Sequence, residues 1–263
     1  MELVTRSVDE FNQVSQLIAD GLNNCAIARI TGVPRETVRD WRRDPPRSLA
    51  GGSPSGSPCG RLHEFDALPE GAYAYLLGMY LGDGWISRDR RSWRLRIACD
   101  ARYPAIIERC RQAIDAVMPG QMASAVKRKG NCVDVSLYSQ HWPCLLPQHG
   151  PGRKHNRRIV LEPWQQAIVD NEAEEFVLGL LHSDGCRVVA NDRGVMSTRY
   201  HFSNRSEDIH GLFTAALDLL EIPWRRSSRY IVSIYRKAAT ERLDEFVGPK
   251  DSAVPLSSVH YAA

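Results

Sequence analysis

Two aspartates are the residues most plausibly placed for chemistry, because Asp83 and Asp184 each close an apolar nonapeptide and each precede a glycine. The first stretch is Leu76-Leu77-Gly78-Met79-Tyr80-Leu81-Gly82-Asp83-Gly84, and the second is Val177-Leu178-Gly179-Leu180-Leu181-His182-Ser183-Asp184-Gly185. A carboxylate at the C-terminus of a helix faces the negative end of the dipole, which costs roughly 0.3–1 kcal/mol. Repetition of that misfit implies two acids brought together around a cation.

The elements that must position the acids follow from the same residues. Gly78 and Gly82 stand four apart, as do Gly179 and Ser183, so each helix carries a stripe of small side chains on one face. Such stripes let two helix backbones approach closely. Glycine after the last turn is expected to adopt the left-handed conformation that stops a helix, fixing where each aspartate sits. His182, inside the second stretch, reads as a packing or hydrogen-bonding residue rather than a base.

The duplication extends well past the nonapeptides. Trp93-Arg94-Leu95-Arg96-Ile97-Ala98 and Thr198-Arg199-Tyr200-His201-Phe202-Ser203 alternate as strands with one buried and one cationic face. Helices follow from about Pro104 to Val117 and from about Ser206 to Leu220. Then come Val135-Ser136-Leu137-Tyr138 and Val232-Ser233-Ile234-Tyr235, and later Gly150-Pro151 and Gly248-Pro249, each trailed by a lysine, Lys154 and Lys250. The order αββαββα is written twice.

These features resemble the LAGLIDADG homing endonucleases, in the single-chain form that carries two motifs. The resemblance covers roughly residues 70 to 250. It implies an α+β fold of two pseudo-symmetric αββαββα halves, 70–152 and 153–263, that form a saddle for double-stranded DNA. It also implies metal-dependent hydrolysis of phosphodiester bonds by a monomer with pseudo-twofold symmetry. Asp83 and Asp184 would anchor Mg²⁺ or Mn²⁺, joined by backbone carbonyls at Gly82 and Ser183. The family adds a lysine near each scissile phosphate. Lys237, just after the second Val-Ser-Ile-Tyr strand, is the candidate there, whereas the matching first-half places hold Ser139 and Gln140. Lys127 or Lys129 would have to reach in from the neighbouring strand, and the asymmetry raises a nickase or a binder that has lost activity.

DNA contacts are expected from Arg94 and Arg96 on the first sheet and from Arg199 and His201 on the second. Lys127 and Lys129, Arg225 and Arg226 would add hairpin contacts. The run Arg153-Lys154-His155-Asn156-Arg157-Arg158 supplies Lys154 as a further backbone contact.

Ahead of the duplicated region, residues 1–44 read as a small all-α domain. Ser7 to Glu10 fits a capping box, with Phe11, Val14, Leu17 and Ile18 at helical spacing after it. A short helix around Ala26–Ile30, a turn at Gly32 and Pro34 opening a third helix resemble a helix-turn-helix. Arg35, Thr37 and Arg39 are its candidate base readers, with Val38 and Trp41 turned inward. Residues 45–69, rich in Gly, Ser and Pro up to Gly60, read as a linker.

Composition bounds the alternatives. The chain has 263 residues and a formal charge of +3, so any nucleic-acid affinity must come from local clusters of cations. Seven cysteines without a Cys-x-x-Cys pair read as reduced thiols of a cytoplasmic, nucleoid-associated protein. Cys59 and His63 alone are too few ligands for zinc. No apolar run reaches the ~18 residues of a membrane span, and no signal peptide is visible. The ends lack splicing residues, so a free-standing protein is expected rather than an intein. The competing readings are a non-catalytic transcription regulator on the same fold and an RNA-splicing maturase.

Overall fold

The computed structural model describes residues 8–43, 58–59, 63 and 65–250. Most of the expected linker, and Ser7 of the expected capping box, lie outside the described residues. The chain divides into two compact units, Met1–His63 and Glu64–Ala263.

In the smaller unit, α1 (Val8–Ala19), α2 (Asn24–Thr31) and α3 (Arg35–Arg43) enclose a core of Val14, Ile27, Val33, Val38 and Trp41. The Asn23 side chain accepts from the amides of Cys25 and Ala26, satisfying two orphan donors of α2. Gly32 ends that helix with φ 71°, a conformation only glycine adopts without strain, and so makes the tight turn into α3. The turn ends at Pro34, whose carbonyl accepts from the Val38 amide, and α3 begins one residue later.

The larger unit runs α4 (Glu70–Asp83), β1 (Gly84–Asp89), β2 (Ser92–Asp100), α5 (Pro104–Val117), β3 (Ser124–Lys127), β4 (Cys132–Ser139) and α6 (Trp142–Leu145). After α7 (Pro163–Asn171) the series repeats as α8 (Ala173–Asp184), β5 (Gly185–Asp192), β6 (Val195–Ser203), α9 (Glu207–Leu219), β7 (Arg225–Ser228), β8 (Ile231–Ile234) and α10 (Lys237–Phe246). The αββαββα order is thus observed twice, with α7 between the copies. The sheets are antiparallel and ordered β1-β2-β4-β3 and β5-β6-β8-β7.

The paired helices α4 and α8 form the centre of this unit. Every residue of α4 from Gly71 to Leu81 is buried, as expected of a helix that is apolar all round. A Cβ built on Gly78 would lie 2.6 Å from the Phe176 carbonyl oxygen and 2.8 Å from the Leu180 nitrogen. One built on Gly179 would lie 3.1 Å from Gly78 Cα and would clash with the Tyr75 carbonyl oxygen. The small-residue stripes therefore place backbone directly against backbone. One turn on, a Cβ on Gly82 would lie 2.5 Å from that of Ser183.

The terminal glycines differ from expectation. Gly84 (φ −92°, ψ 152°) and Gly185 (φ −97°, ψ 163°) are extended, not left-handed. Each is the first residue of a strand that doubles back on its own helix. A Cβ on Gly84 would lie 2.6 Å from Tyr80 Cα, and one on Gly185 2.7 Å from Leu181 Cα. Proximity, rather than a positive φ, requires glycine there.

Gly179→Ala should therefore lower the unfolding free energy by several kcal/mol, on the order of 3, because the added methyl meets backbone and the helices must part. Gly211 on α9 has open space around its Cβ position. Gly211→Ala should instead stabilise by about 1 kcal/mol, and urea titration of the two variants tests the contrast.

Candidate metal centre

Asp83 and Asp184 are the last residues of α4 and α8, and the backbone contact at Gly78 and Gly179 brings those ends side by side. The approach is close enough that a Cβ on Gly82 would lie 3.3 Å from Asp184 Oδ2. Burial pushes the Asp83 carboxyl above its usual range, opposed by the cationic Lys154 and Lys250. Asp184 is pushed up to about 6, first by burial and then by the neighbouring Asp83 charge, against the pull of Asn204 and both lysines. The Asn204 side chain holds Asp184 by donating from Nδ2 to Oδ2 over 2.6 Å.

One lysine stands at each helix end. Lys154 Nζ donates to the carbonyl oxygens of Gly82 (3.0 Å) and Gly84 (2.6 Å), with the Tyr80 ring 5.0 Å away. Lys250 Nζ donates to those of His182 (2.7 Å) and Ser183 (3.4 Å), with the Tyr103 ring 5.9 Å away. Burial draws the Lys154 ammonium down to about 8 although both aspartates favour its charge, and it lowers Lys250 in the same direction.

Two cavities flank the acids and share the groups crosswise. One of about 550 Å³ contains Asp83 with Lys250, Cys99, His182 and Cys186. The other, of about 400 Å³, contains Asp184 with Lys154, Asn204, Arg153 and Arg205. Each acid thus opens onto the cavity whose lysine is anchored on the other helix.

The residues present fit a hard divalent cation. Two carboxylates stand beside the carbonyls of Gly82 and Ser183, an all-oxygen donor set of the kind Mg²⁺ and Mn²⁺ prefer. Each of these carbonyls already accepts from an ammonium, which leaves its second lone pair for a metal ion.

Set beside solved structures, the chain is similar to a variant of I-DmoI in complex with its nicked target DNA in the presence of manganese. The identity is 13% and the TM-score 0.44, covering 68% of this chain and 96% of that one. It is also similar to the meganuclease I-AabMI bound to uncleaved DNA (10%, TM-score 0.44, 71% and 86%). A third similar structure is the N-terminal LAGLIDADG domain of WhiA (16%, TM-score 0.43, 70% and 88%). Its structural neighbours are LAGLIDADG proteins. No protein-family model matches the sequence, and no curated protein matches it either.

Several residues expected at the site or on the saddle stand elsewhere. Lys237 begins α10 with 89% of its side chain exposed, and it pairs with Glu241 at 3.7 Å rather than with either acid. Lys154, expected as a surface contact, is instead part of the centre. The structure places one lysine at each helix end, Lys154 and Lys250. His182 is buried, with Nδ1 3.0 Å from the Tyr75 hydroxyl, in keeping with a packing role.

On the sheets, register decides. Arg94 and Arg96 lie on the outer face of β2, opposite the core residues Leu95 and Ile97. Arg199, His201 and Arg225 occupy the corresponding outer face of the second sheet. Arg199 is ion-paired with Asp192, and burial keeps His201 below its usual range. Arg226 pairs across the ladder with the buried Val232, so it faces the helices and bonds Glu207 on α9 at 2.8 Å. Lys127 stands opposite Val133, also on the helix-facing side, and Lys129 is exposed in the β3–β4 turn. On α3, Arg35 and Arg39 are exposed and Thr37 is half-buried.

Lys250 and Asn204 escaped the sequence reading as site residues. The repeated Gly-Pro pair ahead of Lys154 and Lys250 was the available signal for the lysines. Asn204 gave none: it lies just past β6, and counting on from the pairs Gly84–Ile97 and Gly185–Phe202 its first-half counterpart is Cys99.

Stability should report the strain of the paired acids. With a folded value near 6 against about 3.8 unfolded, Asp184 lowers stability as pH rises from about 4 to 6. Asp184→Asn should be more stable than the parent at pH 7 by up to about 3 kcal/mol, and the two should converge below pH 4 in thermal melts. Millimolar Mn²⁺ should raise the parent's Tm and leave that of the Asp83→Asn/Asp184→Asn variant unchanged.

Proposed function

We propose that this protein is a DNA endonuclease that hydrolyses phosphodiester bonds of double-stranded DNA at the paired aspartates, with Mg²⁺ or Mn²⁺ as cofactor. The observation that carries the reading is the pair of desolvated carboxylates at abutting helix ends, each sharing a cavity with a lysine anchored on the opposite helix. Burial of two like charges destabilises the fold, and the packing of α4 on α8 brings the two helix ends together without calling for an acid at either. A bound cation would offset that repulsion.

A divalent ion held there would supply an activated water and neutralisation of a leaving oxyanion. Asp83 and Asp184 would hold the ion, with the Gly82 and Ser183 carbonyls as the further protein oxygens at hand. Asn204 fixes the orientation of Asp184. Lys154 and Lys250 each place a positive charge, one per cavity, where charge builds on a phosphoryl oxygen. Lys154, poised near 8, can also exchange a proton with a bound water. Arg94, Arg96 and Arg225 on the outer sheet faces meet the backbone or bases of the duplex, and α3 reads DNA through Arg35, Thr37 and Arg39 as the second helix of a helix-turn-helix.

The three-helix unit also suits a transcription regulator that keeps the saddle only for binding. The two readings part on cleavage. Purified protein with Mg²⁺ should cut some member of a library of the DNA flanking its own coding frame, and Asp83→Asn or Asp184→Asn should abolish cutting while affinity is retained or improved. Lys154→Met and Lys250→Met should each slow cleavage by about 10²-fold or more, whereas Lys237→Ala should cut normally. Binding without any metal-dependent cutting would establish the regulator.

A further inference from the structure

The two sheets carry the same ladder but different chemistry on the face a duplex would meet, and this inference rests on the reading of the chain as a DNA-binding protein. Because β1 and β5 leave the helix ends at Gly84 and Gly185 without an intervening loop, DNA lying over the carboxylates must pass along the outer faces of both hairpins.

On the first hairpin, the outer face pairs Trp85 with Arg96 and Ser87 with Arg94. The Arg96 guanidinium stands 5.6 Å from the Trp85 ring centroid and that of Arg94 5.1 Å from Tyr138. Arg94 also donates to Ser136 Oγ at 2.9 Å. Among the described residues neither arginine forms an ion pair, and the Nε of each is buried without a partner. Aromatic support holds each guanidinium in a set plane with its charge unspent, the condition for a fork that meets two acceptors at once.

The second hairpin is its opposite in kind. Its outer face pairs Val188 with Arg199, Ala190 with Ser197 and Asp192 with Val195. The one arginine of this set is taken by Asp192. Beside that pair, whose Asp192 side chain is itself 56% exposed, the face presents apolar surface: Val188 is 39% and Val195 67% exposed. Val189 and Met196 are exposed on the other side, so the hairpin projects beyond the cover of the helices. A two-stranded ribbon with both faces free is the shape that enters a major groove.

In that groove guanine offers the paired acceptors N7 and O6 that an arginine fork matches, and thymine alone of the four bases offers a methyl group for apolar contact. We propose that the halves read opposite base chemistry: Arg94 and Arg96 specify guanines under the first sheet, and Val188 and Val195 specify thymines under the second.

Selection from a randomised duplex library by the wild-type protein, with divalent metal omitted, gives the test. The enriched sites should hold conserved guanines on one side of the centre and conserved thymines on the other. Replacing those thymines by uracil should weaken binding about fourfold for each methyl in contact. Val188→Ala should lose the thymine-over-uracil preference at one position while binding the uracil duplex as the parent does. Arg94→Gln should keep that preference and lose discrimination against 7-deazaguanine in the other half. Equal affinity for thymine and uracil duplexes, or a Val188→Ala protein that still separates them, overturns the inference. A wild-type protein that enriches no duplex at all removes the DNA reading itself, and this inference with it.

Discussion

Backbone-to-backbone contact between α4 and α8 is the constraint on which the rest depends. Gly78 and Gly179 permit it because each occupies the space a side chain on the other helix would need. Helix axes usually pack 8–10 Å apart, with the gap filled by side chains. Removing those side chains brings the helix ends together, and the aspartates are those ends. Position of the acids is thus a packing outcome, determined about one and a half turns away from the chemistry.

Electrostatics then opposes what packing imposes. Two carboxylates stand at the negative poles of two helices and are partly withdrawn from water. Lys154 and Lys250 answer this directly, each donating to the last carbonyls of one helix, so each dipole is capped by a cation while its aspartate remains. The asymmetry lies elsewhere. Asp184 has Asn204 as a brace, whereas the ladder position equivalent to Asn204 holds Cys99 beside Asp83. The duplication preserves the frame and varies the supports.

Much of the fold was legible because the chain repeats itself: α5 begins at Pro104 and ends at Val117 as periodicity requires, and Ser206 caps α9. What escaped was set by tertiary context. The extended conformation of Gly84 and Gly185 could not be told from a left-handed one, since both call for glycine and only the path of the following strand decides. Lys237 followed the strand as a catalytic lysine would in sequence, yet the turn into α10 carries it outward. Arg226 and Lys127 were credited to the saddle by charge, and ladder parity puts them on the side of the helices. Asn204 acts through one bond that no local pattern announces.

The missing loop between helix and strand has a mechanical consequence. With Gly84 and Gly185 joining each strand to its helix inside a single residue, a sheet cannot swing independently of the helix before it. A small roll of one helix about the shared contact is magnified at the hairpin tip, as the jaws of a caliper magnify play at the pivot. The glycine contact therefore governs how far the two hairpin tips can shift relative to each other.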